Sequence, residues 1–232
     1  MKYYSQYLQD YFIDKFCFKK KENGFFLDIG AYDGVTFSNT YFFEKERAWK
    51  GICVEPINSV YEKLISVRTC QCVNGCIAEN DGVATFHHLD GPSEMLSGID
   101  SNFDERHLER MNREVHELGG KLIKTEVKTY NVNTILSNQK IDKIDLLSID
   151  AEGSELSILK TIDFNSVKIN VLTIENNYKS DDIREILSPF GYSSIGYLCA
   201  DEIFILGTSR LNFLKTAVFC FSILVKIKNR FK

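Results

Sequence analysis

The sequence predicts an α/β protein built on a mostly parallel sheet, and three observations carry that prediction. Apolar runs alternate with helical patterns from residue 24 to about 206. Several of those runs end in acids or amides, at Asp28, Glu55, Asp150, Glu175 and Asn176. Between the first two runs the chain turns through Gly30 and Gly34. Parallel strands need crossover helices, and ligands of such sheets collect outside the carboxyl ends of the strands. The strand-end residues are therefore expected to converge on one crevice.

Each element has its own signal. Phe25–Ile29 reads as the first strand and residues 35–47 as the helix after it. Residues 51–55 read as a strand and Asn58–Val67 as its helix. Residues 70–78 and 83–88 read as strands about the Glu79-Asn-Asp-Gly82 turn, whose Asp-Gly favours a hairpin. From about 91 to 120 the alternation breaks into a polar stretch, helix-like over 105–118. An insert of this kind carries acceptor-facing groups or forms a solvated flap. Residues 121–129 return to strand character, and Asn133 is placed to cap a short helix ending near Asn138. Residues 144–150 form a strand with its helix at 153–162, and residues 170–176 form another. Asp182 and Glu185 suggest a capping box, and residues 192–197 and 202–206 a closing antiparallel pair. One domain over residues 1–210 with an appendage at 211–232 is the economical division.

Bulk properties narrow the function. With 44% hydrophobic residues the chain can bury a full core. From Leu211 onward there are five basic residues and no acid, which leaves a body of −9 in a chain of net charge −4. An acidic body argues against nucleic-acid binding. The opening residues hold no signal-peptide core. Cys53 falls in an expected buried strand, and Cys70, Cys72 and Cys76 lack the second paired cluster of a zinc site. The cysteines read as reduced thiols of a cytoplasmic protein.

The glycine turn points to a nucleoside ligand. An acid at the tip of the second strand can grip a ribose, which assigns Glu55 to both ribose hydroxyls. The spacing is Gly-x-x-x-Gly rather than Gly-x-Gly-x-x-Gly, which favours S-adenosylmethionine over a dinucleotide. Gly30 would let the backbone pass close to the methionine part of that cofactor, and Asp28 would lie near its ammonium.

Beyond the turn, Ser5-Gln6, Gln9-Asp10, residues 26–34, Ser38-Asn-Thr-Tyr41, residues 49–56 and Leu147-Ser-Ile-Asp-Ala-Glu-Gly-Ser-Glu155 resemble the FkbM family of S-adenosylmethionine-dependent methyltransferases. The resemblance covers about residues 5 to 206. It implies a Rossmann-like class I methyltransferase fold, with a mostly parallel seven-stranded sheet and helices on both faces. It also implies O-methylation, often of a sugar hydroxyl in a glycan or glycosylated metabolite. The cofactor set expected for S-adenosyl-L-methionine is Asp28, Gly30, Gly34, Ser38, Asn39, Glu55, Pro56, Cys76 and Asp150. Asn39, at the expected start of a helix, would contact the cofactor's carboxylate. A nucleotide- or NAD-binding oxidoreductase and a non-catalytic Rossmann-like interaction module are the alternatives.

A hydroxyl acceptor needs a base or a Lewis acid. Asp150 is the candidate general base, Glu152 a candidate for shaping the acceptor pocket, and His87 a candidate base if its ring faces the crevice. An acid after one strand and an acid–amide pair after the next, Asp150 with Glu175 and Asn176, resemble the magnesium-site layout of catechol-type O-methyltransferases. Mg²⁺ held by these three residues is therefore an alternative to a metal-free base. In the tail, residues 216–225 are apolar all round between Lys215 and Lys226, about 15 Å of helix and half of what a bilayer core needs. This segment is expected to lie at a membrane interface or to pack on the domain or a second subunit. The sequence leaves the oligomeric state open.

Overall fold

The computed structural model describes residues 1–91, 95, 97–99 and 105–230. Residues 92–94, 96 and 100–104 of the expected insert, and 231–232 of the tail, lie outside the described residues. Two sheets organise the chain. The larger holds β1 (Phe25–Ile29), β2 (Lys50–Glu55), β3 (Gln71–Asn74), β8 (Lys143–Ile149), β9 (Lys168–Glu175), β10 (Tyr192–Leu198) and β11 (Asp201–Leu206). Its order is β10-β11-β9-β8-β1-β2-β3, parallel except where β11 enters antiparallel between β9 and β10. This is the expected Rossmann-like class I methyltransferase architecture. The order reverses beside β1, so the crevice opens where Asp28 and Asp150 end neighbouring strands.

Helices cover both faces. On one face α5 (Val132–Asn138), α6 (Glu155–Thr161) and α7 (Asp182–Leu187) bury Ile135, Ile158, Leu159, Ile183 and Leu187 against Leu27, Leu147 and Leu172. On the other, Phe12, Phe42, Phe43 and Leu64 pack on Phe26, Leu146 and Val171. Those four come from α1 (Gln9–Phe12), α2 (Tyr41–Arg47) and α3 (Asn58–Val67). The same face receives Leu214 and Val218 of α8 (Leu211–Arg230), so α8 docks on the domain by one side.

Four details differ from the sequence reading. The helix after β1 starts at Tyr41, not at 35, because the Ser38 hydroxyl accepts the amides of Thr40 and Tyr41 (3.2 and 3.0 Å) and ends the loop there. The expected hairpin about Asp81-Gly82 does not close on itself. Instead β7 (Lys121–Tyr130) runs between β4 (Cys76–Ile77) and β5 (Gly82–Asp90), with β6 (Gly98–Ile99) at the far edge. The turn bonds to Asn131, whose amide nitrogen reaches Asp81 Oδ1 and whose Nδ2 reaches the Glu79 carbonyl (each 2.6 Å). Asn131 rather than Asn133 caps α5, its side chain accepting from Asn133 N at 2.8 Å. No capping box forms at α7, where Asp182 accepts from the Ser180 hydroxyl and Asp181 from Arg184.

The smaller sheet leans on the larger one. Phe86, Ile99 and Val127 bury against Ile57 and Val60, and this contact makes the second wall of the crevice. Helix α4 (Glu105–Leu118) closes the sheet's outer side through Met111 on Leu89.

Candidate active site

A cleft enclosing about 970 Å³ of non-atom space, partly open to solvent, lies at the carboxyl edge of β1, β2 and β8. Asp28, Gly30, Ser38, Asn39, Glu55, Pro56, Cys76, Asp150 and Glu152 all line it. The insert reaches it too, through Met95, Ser97, Gly98 and Ile99.

The β1–β8 seam fixes the floor. Asp150 N donates to the Ile29 carbonyl at 3.0 Å, and Gly30 takes φ +83°. A β-carbon on Gly30 would stand 1.7 Å from the Asp150 carbonyl oxygen. The expected reason for this glycine was room for a ligand; the observed reason is the neighbouring strand's backbone. Gly34 leaves the cleft altogether. Its φ is +82°, and a β-carbon there would meet Leu64 Cδ1 (2.7 Å) and Arg68 Cγ (2.8 Å).

Glu55 is pinned rather than loose. Its Oε2 accepts from Tyr32 N (3.0 Å) and its Oε1 from Ile57 N (2.8 Å). A carboxylate offers about two acceptor positions per oxygen, the kind of group that suits a paired diol. Burial pushes the Cys76 thiol beside it up to about 12, so Cys76 presents a neutral, apolar surface.

Asp28 is 4% exposed and engaged from behind. Its Oδ2 accepts the Thr40 hydroxyl at 2.5 Å and lies 4.0 Å from Arg68 Nη1. Burial holds its carboxyl above the usual value, against the opposing pull of the Arg68 guanidinium. Arg68 is itself buried, donating to Glu44 Oε2 (2.5 Å), to Thr40 Oγ1 (2.9 Å) and to the Gly34 carbonyl (3.0 Å). Nothing in the local sequence marks Arg68, since an arginine after a helix is ordinarily solvated.

Asn39 sits in the loop before α2. Its Nδ2 donates to Ser148 Oγ (3.2 Å) and Asp201 Oδ2 (3.4 Å), while its buried Oδ1 accepts no hydrogen bond. With the amide group spent, the open atom is an acceptor. It suits a ligand's ammonium or hydroxyl, not the carboxylate expected for it. Asp201 also accepts from Gln9 Nε2 (2.8 Å), which ties the N-terminal segment to the floor.

Acids gather at the β8 and β9 ends. Carboxylate oxygens of Asp150, Glu152 and Glu175 lie within 4.8 Å of one another. Asp150 is exposed where it opens into the cleft, beside the other acids. Desolvation, then the charges of Glu175, Glu152, Asp201 and Glu155, hold its carboxyl well above the ordinary range. Asp201 stands opposite Glu175 across the β9–β11 pair, and desolvation with Glu175's charge lifts it to about 6. Glu155 rises to about 7 for the same two reasons, although Ala151 N and Gly153 N donate to it at 3.0 Å. It clasps the turn in which Glu152 takes φ +46° and Gly153 φ +95°.

Two further expected residues, besides Gly34, stand elsewhere. Asn176 is not available as a metal ligand. Its Nδ2 donates to the Ser180 carbonyl, Tyr197 Oη and Glu202 Oε2 (2.9, 3.1 and 3.0 Å), and its Oδ1 accepts from Ser180 N. The oxygen set here is Asp150, Glu152 and Glu175, not Asp150, Glu175 and Asn176. His87 is buried but does not line the cleft, because strand alternation gives that face to Phe86. The ring of His87 lies on the Leu89 side of β5. Phe37 was missed: it lines the cleft at 49% exposure, with φ +57°.

The curated methyltransferase sdnD of Sordaria araneosa is 27% identical over 160 residues, 61% of each chain, so the chain spans about three-fifths of that relative. Among solved structures, a methyltransferase FkbM from Methylobacillus flagellatus aligns at 14% identity and TM-score 0.46, covering 79% of this chain and 43% of that one. A NADB-Rossmann superfamily protein from Streptococcus agalactiae aligns at 13% and 0.44, covering 91% and 75%. The family described as Methyltransferase FkbM domain matches residues 28–194, well over half the sequence, and the chain belongs to that family.

Proposed function

We propose that this chain is an S-adenosylmethionine-dependent O-methyltransferase acting on a sugar hydroxyl of a glycan or glycosylated metabolite. The observation that carries the proposal is that two complementary devices face one cleft. Glu55 offers a pinned pair of acceptor oxygens, and Asp150 offers a proton-accepting carboxyl in a crowded acidic setting.

The residues fit the cofactor. Glu55 would hold the ribose diol, Pro56, Ile57, Cys76 and Ile77 would give the base an apolar bed, and Asn39 Oδ1 would accept from the ammonium. When bound, S-adenosylmethionine supplies a methyl group on a positively charged sulfur. Asp150 would take the acceptor hydroxyl's proton, readying its oxygen to receive the methyl group. Its elevated pKa makes it a stronger base than an ordinary carboxylate, which favours proton uptake at neutral pH. Glu152 shapes the acceptor side of the mouth. Phe37 and Tyr32 place aromatic surface at the same mouth, suited to the apolar face of a sugar ring. This route needs no metal. The carboxylates of Asp150, Glu152 and Glu175 are nonetheless hard ligands of the type Mg²⁺ prefers.

The test is calorimetric titration with S-adenosylhomocysteine, with Mg²⁺ and with EDTA. It is followed by incubation with S-adenosylmethionine and hexose or deoxysugar glycans, read by mass spectrometry for one added CH₂. Micromolar binding insensitive to EDTA and a methylated glycan are expected. A folded sample that binds nothing would overturn the cofactor assignment, and activity abolished by EDTA would overturn the metal-free base.

A further inference from the structure

The outer face of α8 is the most unusual surface of the molecule. Leu214, Val218 and Val225 are buried against the domain, and Phe221 stacks on Tyr11 with ring centroids 5.5 Å apart. The opposite side presents Phe213, Phe219, Ile223 and Leu224 at 55, 66, 44 and 62% exposure. A helix that spends one apolar face on its own core has no structural need for a second. In the segment that carries this second face the charge has one sign. The segment from Leu211 to Lys232 contains Lys215, Lys226, Lys228, Arg230 and Lys232 and no acid. Arg210, just before the helix, lies 5.5 Å over the Phe213 ring and donates to the Phe16 carbonyl.

We propose that the outer face of α8 is a membrane-interface surface that lies flat on a bilayer rich in anionic lipids. Phe213, Phe219, Ile223 and Leu224 enter the boundary between headgroups and acyl chains, and the basic side chains meet lipid phosphates. Charge complementarity selects this occupant. Pairing with a second α8 would face lysine-bearing helices with no acid of the segment to neutralise them, whereas an anionic surface neutralises them all. Among the described residues no helix is long and apolar enough to cross a membrane, so the contact is lateral. The placement also has direction. Lys226 is close enough to Cys199, in the turn between β10 and β11, to oppose the rise of that thiol's pKa. Asp201, hydrogen-bonded to the cleft residue Asn39, follows two residues later. The carboxyl-terminal half of α8 thus approaches the sheet edge at which the cleft opens.

The experiment is co-sedimentation of the full chain with vesicles of phosphatidylcholine alone and with phosphatidylserine added, at low and high salt. Binding to the anionic vesicles that weakens with salt is expected. Replacing Phe219 and Leu224 together by serine should lower the partition coefficient at least about tenfold, because two apolar side chains are withdrawn from the interface. Lys215→Glu with Lys226→Glu should weaken it by a similar factor and flatten the salt dependence. Both pairs sit on the exposed side, and unchanged circular dichroism and S-adenosylhomocysteine affinity would show that the fold and cleft persist. Failure to sediment, or equal sedimentation of all forms, overturns the proposal and leaves the cofactor assignment untouched. So does a concentration-dependent dimer in light scattering that the serine substitutions dissolve, which would mean that a second copy covers this face.

Discussion

The Asp150 carbonyl oxygen occupies the space that a β-carbon on Gly30 would need, 1.7 Å away. Gly30→Ala therefore meets backbone, which cannot swing aside, and also forces alanine to φ +83°. The variant should lose about 3 kcal/mol or more of stability and bind S-adenosylhomocysteine poorly. Urea unfolding checks the first part. A midpoint within experimental error of the parent would show that the β1–β8 seam is looser than this contact requires.

Glu55 shares its two oxygens between backbone and the proposed ribose. Glu55→Gln keeps one acceptor oxygen and the side chain's size. Affinity for S-adenosylhomocysteine should fall about tenfold, the worth of one charge-assisted hydrogen bond. Calorimetry at constant pH measures it, and equal affinity would remove Glu55 from the cofactor site.

Asp150→Asn separates binding from chemistry. Cofactor affinity should hold within a few-fold while turnover drops by about 10²–10⁴, the usual contribution of a positioned base. In the parent, kcat should rise with pH along a limb above the ordinary carboxylate range, since desolvation and neighbouring acids lift Asp150. A limb near pH 4, or an active Asn variant, would transfer the role to another group.

Glu155 gives a stability signature. Its pKa rises on folding from 4.5 to about 7, so the folded state holds the proton more tightly than the unfolded chain. That contribution is complete below pH 4.5 and is lost as pH climbs through about 7, a decline of up to about 3 kcal/mol. Asp201, raised to about 6, adds to it. Glu155→Gln should flatten the decline between those limits in pH-dependent urea titrations. An unchanged slope would mean that the acidic cluster does not share charge as described.

The larger sheet was legible because its strands are short apolar runs closed by acids, and period and punctuation there agree. The smaller sheet was not. The Asp-Gly signal in residues 79–82 was real as a turn, but long-range pairing decided which strand lay beside which, and β7 won both neighbours of that turn. Asp28, Glu55 and Asp150 could be read as cleft residues because each ends a strand. Arg68, Thr40 and Asp201 could not, because their meaning comes from partners far along the chain. Asn176 misled for the converse reason: its strand-end position was right, but Tyr197 and Glu202 claim its side chain. His87 shows the limit of alternation, which fixes that neighbours diverge and leaves the choice of face to packing.

The cleft has its floor in one sheet and part of its wall in the other, with Glu55 on β2 facing Phe86 and Ile99 of β5 and β6. A molecule that fills it acts as mortar between the two layers, beside the apolar contact that already joins them. Occupancy should therefore be audible in the mechanics of the smaller sheet: amides of β5 and β7 should exchange with deuterium more slowly once the cleft is filled, whichever acceptor the protein serves.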